Sequence, residues 1–358
     1  MIELTQSQWI YLNGPPLING QIKVQLEDFK VDEQLSFEPS GQGEHTLLKI
    51  QKTGLNTAYV GEKLAAHANL PLKAISYAGR KDKYAKTTQW FGVYYGHKAN
   101  QPKADWSSFT LEGTEIVEQV QNDKKLKVGA ISQNLFEIII RCNESISTEQ
   151  ETLIKERVEK IKLNGVPNYY GNQRFGELIK PDGTKHVGGN LAMAERLLNG
   201  EEIRNRNKRS MAISALRSWL FNQLISDRLQ KYGSKQWLRG DAIELSGSNS
   251  FFIFDDDNER SKLEKRLASQ DVMLTAPLWG KGDLQSQADA RKFEESQVKN
   301  YEEVCQTLER LDISQQRRSL LLHPQHFGYK VIDNNIILNF GLPSGCFATS
   351  VIRELVNT

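Results

Sequence analysis

Asp82 is the one acid in the segment Arg80-Lys81-Asp82-Lys83-Tyr84-Ala85-Lys86, which also holds four cations. Neighbouring cations favour the ionised form of a carboxylate. They also draw in polyanions, because much of nucleic-acid binding is phosphate neutralisation. A carboxylate can in turn act as a nucleophile through a covalent intermediate, as in retaining glycosidases. An acid set in a basic loop therefore suits work on a sugar or base carried by a nucleic acid. Taken alone, such a charge run reads first as a solvated turn, so other segments must change that balance.

Two further segments combine charge with aromatic rings or a helix start. Arg204-Asn205-Arg206-Asn207-Lys208-Arg209 stands immediately before an apolar-periodic stretch. Cations at a helix N-terminus oppose the macrodipole, and a phosphate would relieve that conflict; a basic loop balanced by Glu201 and Glu202 explains the run equally. Asn168 to Gly176 brings Tyr169, Tyr170 and Phe175 near Arg174 in a polar, glycine-containing stretch. Aromatics in such loops can stack on bases, or pack in a seam. Metal and nucleotide chemistry find little support. The six histidines are scattered, with His323 and His326 the only close pair, and zinc needs three or four converging ligands. The phosphate-loop and dinucleotide glycine patterns are absent, as is the G-x-S-x-G elbow. The expectation is a chain without metal or cofactor.

The elements that must position these residues follow from periodicity. Val24–Phe37 reads as extended, Thr46–Ile50 as a strand, and a helix capped by Asn56 or Thr57 carries Val60, Leu64 and Ala68 and ends before Pro71. Strands at 75–78 and 90–95 flank the Asp82 loop, and Asn134–Arg141 is β-branched and apolar. The middle third turns helical. Glu149–Lys162 is charged, Ser210–Leu229 places Ile213, Leu216, Leu220 and Leu224 at helical spacing, and 286–320 reads as more charged helix. Strand character returns at Ile336–Phe340. The class is α+β, with a helical insertion interrupting a domain whose sheet uses both ends of the chain.

With 358 residues there is room for two domains. A net charge of only +2 excludes an evenly basic nucleic-acid coat, so any RNA surface must come from local clustering; Glu201–Arg239 holds nine Lys/Arg against three Asp/Glu, and the Asp255–Glu259 run is acidic. Three dispersed cysteines argue against a disulfide framework. The N-terminal residues lack a signal-peptide pattern and no run matches a membrane span, which makes the cytoplasm the expected compartment.

Six segments together resemble the TruD family of tRNA pseudouridine synthases. They are Glu27-Asp28-Phe29, Tyr77–Lys83 with Thr88-Gln89-Trp90, Asn134-Leu135-Phe136, Gly165–Gly176, Arg206–Ser210, and Leu342–Ser350 with Arg353-Glu354-Leu355. They span nearly the whole chain; small departures at Tyr170 and Cys346 leave the chemical residues intact. The resemblance implies a cofactor-free isomerase that converts a uridine, expected at position 13 of tRNA, to pseudouridine. It implies a pseudouridine-synthase catalytic domain, with a mixed or antiparallel sheet flanked by helices, from 1–164 and 323–358. An α/β TRUD domain is inserted at 165–322. Asp82 matches the nucleophile and Lys23 a basic residue that pairs with it. Phe29, Asn134, Phe136 and Phe347 match positions around the extruded base. Arg80, Lys81, Lys83, Arg174, Arg206, Lys208 and Arg209 are the expected RNA contacts. tRNA is the expected partner of a monomer with no membrane and no obligatory protein partner. Whether Asp82 meets C6, C1′ or C2′ stays open. So do two other readings: an RNA-binding protein with incidental catalysis, and a nucleoside or glycoside hydrolase, which would release free base.

Overall fold

The computed structural model describes residues 4, 9–96, 103–179, 185–248, 250–255 and 257–357. Most of the Met1–Gln6 segment, and Asp256 of the acidic run, lie outside the described residues. In chain order the principal elements are β1 (Phe29–Leu35), β2 (His45–Thr53), α1 (Thr57–His67), β3 (Ile75–Tyr77), β4 (Lys86–Tyr94), β5 (Thr114–Asn122) and β6 (Ile131–Arg141). Next come α2 (Thr148–Asn164), α3 (Gly189–Leu198), α4 (Arg206–Tyr232), β7 (Ala242–Leu245), β8 (Phe251–Ile253), α5 (Arg260–Ala268) and β9 (Val272–Leu278). The chain closes with α6 (Ala288–Val298), α7 (Glu302–Arg310), β10 (Gln316–Ser319), β11 (Gln325–Ile332) and β12 (Asn335–Pro343).

Two compact units share the chain. The sheet unit comprises Pro16–Lys162, Pro324–Cys346 and Leu355–Thr358; the helical unit comprises Met1–Pro15, Leu163–His323 and Phe347–Glu354. Besides shifts of one or two residues at 163–164 and 323, these units differ from the expected bounds at residues 1–15 and 347–354, which count with the helical unit. The reason is polar anchoring. The Arg353 guanidinium donates to the Trp9 and Ile10 carbonyls at 2.8 and 3.0 Å. The buried Glu354 carboxylate accepts the backbone N–H groups of Leu12 and Asn13 at 3.1 and 2.8 Å. Trp9 stacks on Tyr169 with centroids 5.3 Å apart. Neither segment has a periodicity that would have revealed this.

In the sheet unit eight strands form one mixed sheet, ordered β11-β12-β6-β1-β4-β2-β5, with β3 paired to the far end of β4. The β1–β4 pair is parallel and its neighbours are antiparallel. Strand alternation sends Phe29, Val31 and Glu33 to one buried face and Lys30, Asp32 and Gln34 to the other. The register continues the first face across the sheet as a row of Phe340, Phe136, Val31, Thr87 and Lys52. At one end of that face, Val60 and Leu64 of α1, one turn apart, pack on Leu48, Ile50, Phe91 and Val93. Burying each such side chain stabilises by roughly 1.5–3 kcal/mol. The extended reading of Val24–Phe37 is shortened, because Leu26–Asp28 forms a 3₁₀ turn. Arg141 holds Asp28 there through two hydrogen bonds of 2.9 and 2.7 Å.

The helical unit is built on α4, whose Leu216, Leu220, Phe221 and Leu224 are buried with Leu191 and Leu197 of α3 and Val272 and Leu274 of β9. Asn205 caps α4 by accepting the Lys208 N–H at 3.0 Å, and Gly233, at φ +67°, ends it. A four-stranded antiparallel sheet, β8-β7-β9-β10, completes the unit. The helix expected over 286–320 is two helices followed by a strand. Arg317 on β10 donates to Thr275 and to Glu294, at 2.7 and 2.6 Å, and so ties that segment to β9 as sheet.

Candidate active site

The Asp82 loop is fastened from beneath by side chains that belong to other elements. Thr57 opens α1; its hydroxyl, expected to cap that helix, instead accepts the Lys81 N–H at 3.0 Å and donates to Gln89 Oε1 at 2.8 Å. Gln89 in turn donates to the Gly79 carbonyl at 3.1 Å. The Lys81 ammonium turns inward and pairs with Glu33, whose side chain is fully buried. The other oxygen of Glu33 accepts the Trp90 N–H at 3.0 Å. Lys81 was expected among the RNA contacts; here it is an anchor, while Arg80 and Lys83 are exposed. Lys52, fully buried, donates to the main-chain carbonyls of Asp82 at 3.0 Å and Leu55 at 2.8 Å. Burial pushes the Lys52 ammonium down to about 8, against the pull of Asp82 and with help from Lys81.

What this foundation presents is one carboxylate. Asp82 Oδ2 lies 2.7 Å from Lys23 Nζ, and both side chains are partly open to solvent. Lys23 adopts a left-handed backbone, φ +58°, which a non-glycine residue takes only when its surroundings hold it there. The same ammonium sits 4.3 Å from the centre of the Phe29 ring. Phe29 and Phe136 meet edge to face at 6.0 Å, and Phe136 stacks on Phe340 at 5.4 Å. Phe29 and Phe340 are buried, whereas Phe136 is partly exposed. Asn134, opposite Glu33 in the register, has a buried amide oxygen with no hydrogen-bond partner among the described residues. An unsatisfied buried acceptor is costly and invites a donor. Sheet packing thus brings Asp82, Lys23 and Phe29 together. It also sets Phe136 and Asn134 on the same strand face.

The remaining candidates lie in the helical unit. Buried Asn222 of α4 holds Tyr170 by accepting its N–H at 2.9 Å and donating to its carbonyl at 3.0 Å. Phe347 is buried against Tyr170, ring centres 5.5 Å apart. The Arg174 guanidinium lies over both rings, 5.4 Å from Tyr170 and 5.6 Å from Phe347, and donates to Ser214 at 2.9 Å. Burial holds its pKa below the usual arginine value. Arg318 covers Tyr170 at 4.4 Å and donates to Asn168 at 2.6 Å. Gly171 leaves room for Thr349, whose hydroxyl a Cβ would strike. Phe175, for which packing is the favoured reading of the sequence, is buried in the core of the helical unit. Arg206, Lys208 and Arg209 are exposed and form the first turn of α4, which begins at Arg206, four residues before the Ser210 start read from the sequence.

Sequence reasoning gave no site role to Lys52, Glu33, Thr57 or Gln89. A signal for two of them was present. Glu33 follows Phe29 and Val31, and Lys52 follows Leu48 and Ile50, at period two. A charge in register with inward-facing residues marks a buried ion that needs partners. Thr57 and Gln89 carry no such mark. Among the described residues no three His, Cys, Asp or Glu side chains cluster as metal ligands, and no helix is long and apolar enough to cross a membrane.

A carboxylate bonded to an ammonium, beside stacked rings and an open amide acceptor on an α+β scaffold, has the layout of an enzyme that acts on a base-bearing sugar. The family model for tRNA pseudouridine synthase D (TruD) matches residues 7–197 and 202–355, and the chain belongs to that family. The tRNA pseudouridine synthase D of Pseudoalteromonas atlantica is 44% identical over 352 residues, covering 98% of this chain and 96% of the relative. That of Aeromonas hydrophila is 42% identical over 349 residues, covering 98% and 94%. The crystal structure of TruD from Methanosarcina mazei shares the fold, with a TM-score of 0.72 over 96% of this chain and 95% of that one, at 19% identity.

Proposed function

We propose that this chain isomerises a uridine of tRNA, at position 13, to pseudouridine, with Asp82 as the nucleophile. The observation that carries the reading is the Lys23–Asp82 pair at 2.7 Å beside the Phe29 ring. The reaction breaks the N-glycosidic bond, turns the base and rejoins it through C5, so no atom is lost. The Asp82 carboxylate supplies the nucleophile, and Lys23, hydrogen-bonded to it, orients it. The uridine is swung out of the tRNA fold to reach the acid. Phe29 and Phe136 give the base an apolar wall, and the open oxygen of Asn134 accepts a uracil N–H. For Phe347 the support is its motif and its packing with Arg174 and Tyr170. Arg80 and Lys83, exposed beside the acid, and Arg174, Arg206, Lys208 and Arg209 receive phosphates. In this reading the sheet unit is the catalytic domain and the helical unit the TRUD insertion, and the protein acts as a cytoplasmic monomer.

The test is positional mapping of pseudouridine in tRNA from cells lacking the gene, complemented with the wild-type chain or with Asp82→Asn. Position 13 is expected to regain the modification with the wild type alone. Release of free uracil from tRNA in vitro would point instead to a hydrolase.

A further inference from the structure

Lys52 lies on β2 with its side chain fully buried, and among the described residues no carboxylate forms an ion pair with it. A buried ammonium is costly when its partners are only neutral, and an apolar side chain of the same length would fill the space more cheaply. What the ammonium does hold is main chain. It joins the carbonyl of Asp82, at 3.0 Å, to that of Leu55, at 2.8 Å, just past the end of β2. The Asp82 carboxylate and that carbonyl belong to one residue, so a shift of the carbonyl moves the acid.

We propose that Lys52 is a positioning residue for this reaction: its buried ammonium clamps the main chain at Asp82 to the segment after β2 and so sets where the carboxylate meets the uridine. This rests on the reading of Asp82 as nucleophile. The clamp is distinct from the other two hands on the loop. Lys23 holds the carboxylate itself, and the Glu33–Lys81 pair holds the preceding residue. A displacement of about 1 Å at a reacting group can cost about 100-fold in rate, so a clamp on this carbonyl acts on the chemical step more than on tRNA affinity.

The charged groups facing Lys52 give the clamp a pH dependence. Burial lowers its pKa to about 8; the negative charge of Asp82 opposes this and the positive charge of Lys81 adds to it. As pH rises through that value the ammonium becomes an amine, its hold on two carbonyls weakens, and the rate falls.

The experiment measures single-turnover pseudouridine formation on a tRNA transcript from about pH 6.5 to pH 9.5 for the wild type, Lys52→Met, Lys52→Arg and Asp82→Asn, with tRNA affinity and thermal midpoint for each. Lys52→Met is expected to lose about 30- to 100-fold in rate, to bind tRNA within about twofold of wild type, to melt no lower, and to lack the alkaline fall. Lys52→Arg, charged throughout, is expected to recover part of the rate without that fall. A Lys52→Met enzyme with wild-type rate and profile, beside an inactive Asp82→Asn, would overturn the clamp and leave the nucleophile standing. An active Asp82→Asn would overturn the nucleophile first and the clamp with it. Should Lys52→Met fail to fold, Lys52→Arg decides: a wild-type rate at neutral pH together with the wild-type alkaline profile in that variant overturns the proposal.

Discussion

Four cations surround Asp82 between Arg80 and Lys86, and three stand at Arg206, Lys208 and Arg209 where α4 begins. The two groups look alike as strings of letters. In the first, the charge is sorted: Lys81 is turned onto buried Glu33, Arg80 and Lys83 face solvent, and Lys23 arrives from another segment to meet the acid. In the second, the three side chains are all exposed, and the backbone beneath them is held by a single cap at Asn205. The contrast separates two uses of charge. Bond-making needs a group held to a fraction of an ångström, which buried hydrogen bonds from Thr57, Gln89, Glu33 and Lys52 can provide. Attraction of a polyanion needs only exposed charge and tolerates motion.

If that contrast holds, variants in the first region should change chemistry or folding sharply, and variants in the second should change affinity or stability mildly. Asp82→Asn should lower the single-turnover rate by at least about a thousandfold while tRNA affinity, followed by filter binding, is largely kept. Next in size is Glu33→Gln, which preserves an acceptor for the Trp90 N–H but leaves the Lys81 ammonium buried without its charge partner. A loss of about 3–5 kcal/mol is expected in urea unfolding; a loss near zero would remove the buried pair from the foundation.

Lys52 supplies a third test with a definite sign. Its folded pKa of about 8 lies below its ordinary 10.5, so between those values the unfolded chain binds more protons and stability rises with pH. The gain through that window is about 3 kcal/mol, and it runs opposite to the expected fall in rate. Lys52→Met should flatten this contribution in unfolding measured at several pH values. Replacing Arg206, Lys208 and Arg209 with glutamine should reduce the slope of log affinity against log salt by about 2–3 if all three meet phosphates; an unaltered slope takes the α4 turn out of the interface. The mildest change, Asn205→Ala, should cost about 1 kcal/mol by removing the α4 cap, read as a shift in the urea midpoint.

Much of this molecule was legible before its fold was known. The strands at 46–50, 134–141 and 336–340 and the helix over 210–229 are each found, longer by a few residues, because alternation at period two or 3.6 is local. The six motif segments carried the family. Less legible were the places where a polar side chain decides the local path. Arg141 turns Leu26–Asp28 into a 3₁₀ turn, Arg317 makes sheet of a stretch that reads as helix, and Arg353 draws in the segment at Trp9. Each depends on a partner remote in the chain, and no periodicity encodes such a meeting.

By itself the sequence determined which acid stands among cations, the alternation of sheet and helix along the chain, and the family to which the chain belongs, since these reside in residue types and their neighbours. Tertiary structure alone decided that Lys81 points inward, that Thr57 serves the loop and not its helix, that Lys23 takes a left-handed backbone to reach Asp82, and that Lys52 grips the main chain of that residue. The physical reason is desolvation: a polar group buried by folding must find its partner among whatever residues the fold brings near, and those come from strands and loops far apart in the chain.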